Sequence, residues 1–274
     1  MPNSINTNPG AMIALQNLNS TQADLMAVQN RVNTGRKVAS AKDNGAIWAI
    51  AQNQRATSGA LNAVKDSLNR NQSAIDVAIA GGENIEDLLI QMKEKALAAS
   101  DTSLDATSRV ALNEDFKGLR DQINRAIFSA SFNGENALSL DPVSALADAD
   151  GQTHLTVSGP IMVNGVAGGL AFTQTDSIGT QTLAQDMIAK VSDSLVFSSK
   201  VLAMLGTNSK ALSTHLTFVT KLQDAIDAGV GNLVDADLAK DSAKLTSLQT
   251  RQQLGVQALS IANQTPQALM SLFR

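Results

Sequence analysis

A chain of 274 residues with 21 Lys and Arg against 25 Asp and Glu has a net charge of −4 and an isoelectric point near 5.2. No basic patch stands out, which argues against nucleic acid as a partner, and the absence of cysteine excludes disulfides, thiolate catalysis and Cys-ligated metals together. Aromatic residues make up only 3% of a chain that is 43% hydrophobic, so Leu, Ile, Val and Ala must fill the core, as they do in long packed helices.

The N-terminal run Met1-Pro2-Asn3-Ser4-Ile5-Asn6 has neither the positive start nor the apolar stretch of a secretory signal. No segment approaches the ~20 apolar residues of a membrane span, so no membrane insertion is expected. A first helix is predicted over 11–34, stopped by Gly35, with the seam Leu18, Thr21, Leu25, Val28, Val32. A seven-residue repeat draws one narrow stripe along a helix, and another helix is what buries such a stripe. Residues 36–53 read as irregular and then helical, with Ser40 and Asp43 in capping-box spacing ahead of Ala46-Ile47-Trp48. The longest pattern follows: Leu61, Val64, Leu68, Asn71, Ile75, Ala78, Gly82, Ile85, Leu89, Met92, Ala96 and Ala99, a helix over 57–100 spanning about 66 Å. A turn at Asp101-Thr102-Ser103 leads to a third helix with Leu112, Phe116, Leu119, Ile123 and Ala126 on one face.

From about residue 133 to 181 the composition shifts to Gly, Ser, Thr, Asn and Asp. Leu155-Thr156-Val157 and Ile161-Met162-Val163 read as short strands, and Asn164-Gly165 as a hairpin turn. Heptads resume at Ile188 and continue through Val191, Leu195, Ser198, Leu202, Leu205, Ser209, Leu212, Leu216, Val219 and Ile226, a helix over 182–228 closed by Gly229 and Gly231. A last helix starts near Val234 with the seam Leu245, Leu248, Gln252, Gly255, Leu259, Ala262.

The terminal helices carry almost no charge: Asp24 alone precedes Arg31, and only Arg251 and Arg274 follow Leu245. A surface helix shows a charged outer face, so these ends are built to be surrounded by protein and to order in an assembly. The expected fold is mainly α: an elongated helical rod with heptad-packed helices, a terminal two-helix coiled-coil layer and a small β-hairpin region. The layer is expected to comprise 1–40 with 235–274, and the rod 41–234, with its β-region at about 140–181. Subunit contact is expected through Met12, Leu15, Leu18, Leu25, Val28 and Val32 on the first helix, and through Leu245, Leu248, Leu259, Leu269, Leu272 and Phe273 on the last.

Catalytic, cofactor and metal sites are not expected. His154 and His215 have no second ligand at metal spacing. Glu83, Glu86 and Asp87 crowd one helical segment without a nearby His or nucleophile and read as a solvated face. Gly165-Val166-Ala167-Gly168-Gly169 lacks the Lys-Ser or Lys-Thr of a phosphate loop, and Trp48 reads as packing where the terminal layer meets the rod.

Specific residues then resemble bacterial flagellin. Arg31-Val32-Asn33-Thr34-Gly35, Ser40-Ala41-Lys42-Asp43 and Ala49-Ile50-Ala51 look like that family's N-terminal block. Ser131-Phe132-Asn133-Gly134 is similar to its turn into the β-region, and residues 232–239 resemble the start of its C-terminal helix. The ending Ala262-Asn263-Gln264-Thr265-Pro266-Gln267 is like its terminus. Arg36-Lys37-Val38 and Gly45-Ala46-Ile47-Trp48 depart from the usual pattern, and the central insert is reduced to about 140–181, so the outer domains of longer members are missing.

The resemblance implies a structural subunit of the bacterial flagellar filament: a helical homopolymer around a channel lined by the terminal layer, secreted through the flagellar type III route. It also implies other flagellins, a filament cap, junction proteins and an export chaperone as partners. A hook–filament junction protein of the same family shares the terminal layer but would carry outer domains that lengthen the chain. A chemoreceptor-like signalling hairpin also has Ala-, Gln- and Ser-rich heptads, but would need symmetric arms and a membrane anchor. In members recognised by a host Toll-like receptor, the resemblance places the contact at the stretch matching residues 89–96. Glu94 is retained there, while Gln91 replaces a usual Arg and Lys95 a usual apolar residue.

Overall fold

The computed structural model describes residues 7–139, 143–157, 162–165 and 168–272, the side chains of 265–272 excepted. The described residues form α1 (Pro9–Thr34), α2 (Gly45–Ala99), α3 (Ala106–Ser129), β1 (Val143–Leu146), β2 (His154–Val157), α4 (Gln181–Val234) and α5 (Leu238–Leu272). They divide into two compact units, residues 1–56 with 225–274 and residues 57–224.

In the first unit, the Asn8 side chain accepts the Ala11 N–H at 3.1 Å and Pro9 fills the first turn, where its missing N–H costs nothing. Gly35 ends α1 at φ 67°, a left-handed conformation that a side chain would strain. α1 lies antiparallel to α5. Asn8 Nδ2 donates to Ala262 O at 2.7 Å, the Gln252 amide donates to Gln22 Oε1, and Ala236 N–H donates to Gly35 O at 2.9 Å. Leu25, Val28 and Leu248 are buried between the helices, with Val32 and Leu245 packed on them. A second cluster of Val38, Ala51, Val230 and Val234 gathers Ile47, Trp48, Ile226 and Leu233.

That cluster explains a departure from the sequence expectation. α4 does not close at Gly229 and Gly231 but continues to Val234, because helical geometry puts Val230 and Val234 on one face and buries both. The Ser40–Asp43 pair also differs from expectation. Asp43 Oδ2 accepts the Ala39 and Ser40 N–H groups at 3.0 and 2.9 Å, closing a turn, while Asn44 caps α2 by accepting the Ile47 N–H at 3.1 Å.

In the second unit, all twelve positions of the predicted α2 seam, Leu61 through Ala99, are buried. α4 runs antiparallel beside it: Gln223 Nε2 donates to Ser58 O at 3.0 Å and Gln72 Nε2 to Ser209 Oγ at 2.6 Å. α3 is also antiparallel to α2, with Arg109 Nε donating to Ala99 O at 3.0 Å and Lys95 paired to Asp115 at 2.7 Å. A Cβ on Gly81 would sit 2.7 Å from Ala130 Cβ, and one on Gly82 would sit 2.6 Å from Leu202 Cδ2. These two glycines therefore mark close approaches of α2 to its neighbours.

On α4 three of the eleven expected stripe positions are displaced by one residue. Val191, Ser198, Leu205, Leu212 and Val219 are buried as expected, but Met187, Ser194 and Val201 are buried where Ile188, Leu195 and Leu202 were expected. Ser194 tolerates full burial because its hydroxyl donates to Lys190 O at 2.8 Å and accepts the Ala171 N–H at 2.9 Å.

The β-region also pairs differently. β2 is antiparallel to β1, in register from Val143↔Val157 to Leu146↔His154, rather than to residues 161–163. Asp148 accepts the Gln152 and Thr153 N–H groups and Gly151 adopts φ 68°, so the loop chemistry lies there and not at Asn164-Gly165. Ser67 Oγ accepts the Leu146 N–H at 3.1 Å and fastens β1 to α2, while the Met162 N–H goes to Leu138 O at 3.0 Å. Ile161 lies outside the described residues. A following strap is tied by Ile178 N–H to Asn113 Oδ1 at 2.8 Å, by Arg120 to Asp176 O at 3.0 Å and by the Lys190–Asp176 pair at 2.9 Å. Burial pushes the Asp176 carboxyl up, but the Thr173 N–H and the Lys190 ammonium outweigh it and hold it below its ordinary value.

Gly81→Ala must push Ala130 away, an overpacking cost of about 1–3 kcal/mol that exceeds the roughly 1 kcal/mol gained in helix propensity. At Gly206, inside α4, a Cβ meets nothing within 4 Å. Thermal denaturation should show Gly81→Ala melting below the wild type and Gly206→Ala above it. The reverse order would show that the helices do not approach at Gly81.

Candidate assembly surfaces

α1 and α5 supply most of the expected contact residues, and the structure sorts them into two kinds. Leu18, Leu25, Val28 and Val32 face Leu245, Leu248 and Leu259 across the seam of one chain, where Gly255 lets Leu18 come within 3.2 Å of the position a Cβ would take. Met12 and Leu15 point away from that seam, at 64% and 48% exposure. Phe273 lies outside the described residues, as do the side chains of Leu269 and Leu272.

Further apolar side chains that the sequence reading missed share the outward surfaces. Ile13, Met26, Leu254, Val256 and Ile261 are all more than half exposed. Met12, Ile13 and Leu15 line a hollow of about 380 Å³ with Gln16 and Asn19. Met12, Leu15, Asn19 and Met26 recur at intervals of three, four and seven, and Leu254 and Ile261 at seven. That is a second helical stripe on each helix, and its spacing was visible in the sequence.

Residues 31–43 bring charge together. Arg31, Arg36 and Lys37 line a hollow of about 270 Å³ with Thr34 and Asp43, a local basic site hidden by the acidic average. The Ser40 N–H above all, then the Ala39 N–H, the Ser40 hydroxyl and the nearby Arg31 guanidinium, hold the Asp43 carboxyl below its ordinary value and together outweigh the opposing effect of desolvation.

In the second unit, Gln91 and Glu94 are exposed on α2 and Lys95 is half-buried in its ion pair with Asp115. His215 Nε2 donates to Ala147 O at 2.8 Å, so that ring pins the start of the β1–β2 loop. Among the described residues no group of three His, Asp or Glu side chains is arranged to hold a metal, and no helix is long and apolar enough to cross a membrane.

Residues 5–140 match the bacterial flagellin N-terminal helical region, and residues 188–273 match the bacterial flagellin C-terminal helical region. Flagellin FljM of Caulobacter vibrioides is 59% identical to this chain over 99% of both sequences. Flagellin C of Rhizobium meliloti is 31% identical, again over 99% of each. Among solved structures, a putative flagellar hook-associated protein from Vibrio parahaemolyticus shares the fold at a TM-score of 0.53 and 12% identity, covering 70% of this chain and 100% of that one.

The Asp43 turn supplies a pH test. A carboxyl whose folded value is lowered stabilises its turn fully above its unfolded value of 3.8, and that contribution is lost as pH falls through the folded value. Asp43→Asn should therefore lower the hydrogen-exchange protection factors of the Ala39 and Ser40 amides at neutral pH, as protonation of Asp43 does in the wild type. Unchanged exchange in the variant would remove Asp43 as the organiser of this turn.

Proposed function

This chain belongs to the bacterial flagellins, structural subunits that polymerise into the flagellar filament, and on that premise we propose that its polymer contacts run through the outward stripes of α1 and α5. The observation that carries this reading is the exposure of Met12, Leu15 and Ile261 on helices whose seam with one another is already filled. Leu18, Leu25, Val28, Val32, Leu245, Leu248 and Leu259 shape the helix pair, while Leu269, Leu272 and Phe273 extend the contact at the C-terminus. Residues 1–40 with 235–274 form the inner, channel-lining layer of the extracellular filament, and 41–234 form the rod domain with its small β-region. Channel-facing ends rich in Asn, Gln, Ser and Thr, with few charges, neither grip nor repel an unfolded chain in transit. Other flagellins, the cap, junction proteins and an export chaperone are the further partners this reading requires.

Met12→Lys or Ile261→Lys places a charge on the stripe that is solvated in the monomer and desolvated in a contact. Each should abolish filaments seen by negative-stain microscopy and leave the monomer's thermal midpoint within about 2 °C, since exposed substitutions cost little. Filaments at the wild-type yield from both variants would refute the assignment.

We also propose that the chain activates the host Toll-like receptor weakly or not at all. Gln91 is a neutral amide that cannot reproduce an Arg's planar fork of donors. Lys95 is held by Asp115 and sets a charge on a surface that is apolar in recognised members. A reporter-cell assay with purified monomer should give little signal, and Gln91→Arg with Lys95→Leu should raise it. Activation equal to that of a recognised flagellin would overturn the proposal.

A further inference from the structure

The net charge of −4 is divided unevenly. Residues 1–56 with 225–274 hold nine Lys and Arg against six Asp and Glu, whereas residues 57–224 hold twelve against nineteen. Part of the first unit's excess is concentrated in the hollow formed by Arg31, Arg36 and Lys37. Arg31 and Arg36 join no ion pair among the described residues, and Lys37 gives one N–H to Asn232 O at 3.0 Å. Asp43 is the one acid in the wall, and its Oδ2 is occupied by backbone N–H groups. Three cations against one carboxylate give the wall of this concave site a positive excess; Asp235 lies opposite Arg36 on the backbone but forms no ion pair with it among the described residues, and guanidinium forks are matched to carboxylates.

α2 presents the opposite case. Glu83 and Asp87 are four residues apart on one exposed face, and neither has an ion-pair partner among the described residues. Like charges at this spacing destabilise an isolated helix. Each feature is unfavourable to the chain alone, and two carboxylates one helical turn apart are complementary in sign to the wall of the hollow. A homopolymer presents both features on every copy.

We propose that the Arg31–Arg36–Lys37 hollow of one copy is the docking site for the Glu83 and Asp87 carboxylates of a second copy, an ionic contact repeated through the polymer. The proposal rests on the filament reading above. It makes assembly salt-sensitive, because attraction between surface charges is screened within about 10 Å at 0.1 M salt.

Two measurements test it on the full-length chain. Arg36→Glu should raise the critical concentration for polymerisation about tenfold at low ionic strength, with the difference narrowing as salt is added. Combining it with Asp87→Arg should bring the value back to within about twofold of the wild type. The chain has no cysteine, so Arg36→Cys and a tagged Asp87→Cys each carry a single thiol. Filaments copolymerised from the two should yield tagged–untagged heterodimers with a short bismaleimide, and the same mixture below the critical concentration should yield none. Circular dichroism melting checks that each variant folds, and Arg36→Gln replaces Arg36→Glu if the reversal does not. An unchanged critical concentration, no rescue by the double reversal, or absence of heterodimers would each overturn the contact. Wild-type protein that forms no filaments would overturn the filament reading itself, a distinguishable result.

Discussion

One face of α2 carries the fold of residues 57–224. Its twelve-position stripe is buried without interruption; α3 and α4 lie antiparallel along it, β1 is fastened to it through Ser67, and β2 pairs with β1. Close packing of helices depends on the smallest side chain at the crossing as much as on the largest. Gly81 and Gly82 serve that purpose for Ala130 and Leu202, each approach being too tight for a Cβ without movement. Polar groups on the same helix then position the β-region: Ser67 takes the Leu146 N–H, and Asn71 Nδ2 donates to Ser67 O at 2.9 Å. Asn71 Oδ1 has no partner, a cost a purely apolar seam would avoid. A polar residue in a heptad seam specifies register at the expense of stability, and Asn71 lies where β1 has to be placed.

α1 and α5 obey the same geometry with less burial. Leu25, Val28 and Leu248 are the buried apolar residues of their seam, and all three lie toward the Gly35 end. Toward the Asn8 end the seam passes through Ala11, Ala14, Leu18, Leu259 and Ala262, which are half-buried. A helix pair with so small a core draws little stability from its own contacts. Anything that binds its outer face adds to that stability by mass action, so order in these helices and assembly are coupled.

Much of this was legible from periodicity alone. The seams of α1, α2 and α5 appear at the positions a seven-residue repeat specifies, because a stripe of that period buries only one way against a neighbouring helix. Reading failed where a contact distant in sequence, polar or apolar, decided the outcome. Ser194 displaced Leu195 from the seam of α4 because a distant backbone N–H, that of Ala171, supplies the hydrogen bond that makes burial tolerable. Asn164-Gly165 has the composition of a hairpin turn, yet Asp148 and Gly151 shape the loop that joins the paired strands. Gly229 and Gly231 are helix breakers by propensity at about 1 kcal/mol each, and tertiary packing of Val230 and Val234 overrides them. The basic hollow was hidden for a different reason: Arg31 and Lys37 lie on either side of the turn at Gly35, and a chain-wide charge says nothing about which residues a turn brings together.

Apolar residues of α1 and α5 divide between those that serve the chain and, on the filament reading, those that serve the polymer. Hydrophobic spacing cannot make that distinction, since an intrachain seam and an intersubunit contact are both stripes of Leu, Ile, Val and Met. Counting stripes can. A helix with one partner needs one stripe, and α1 carries two: the seam through Leu18, Leu25 and Val28, and the outward set through Met12, Leu15 and Met26. α5 repeats the arrangement, with Leu248 facing in and Leu254 and Ile261 facing out. The inward stripes of the two terminal helices pack on each other. On the filament reading proposed above, the second stripe is the surface a neighbouring subunit buries, and a polymer of identical subunits supplies one for every copy.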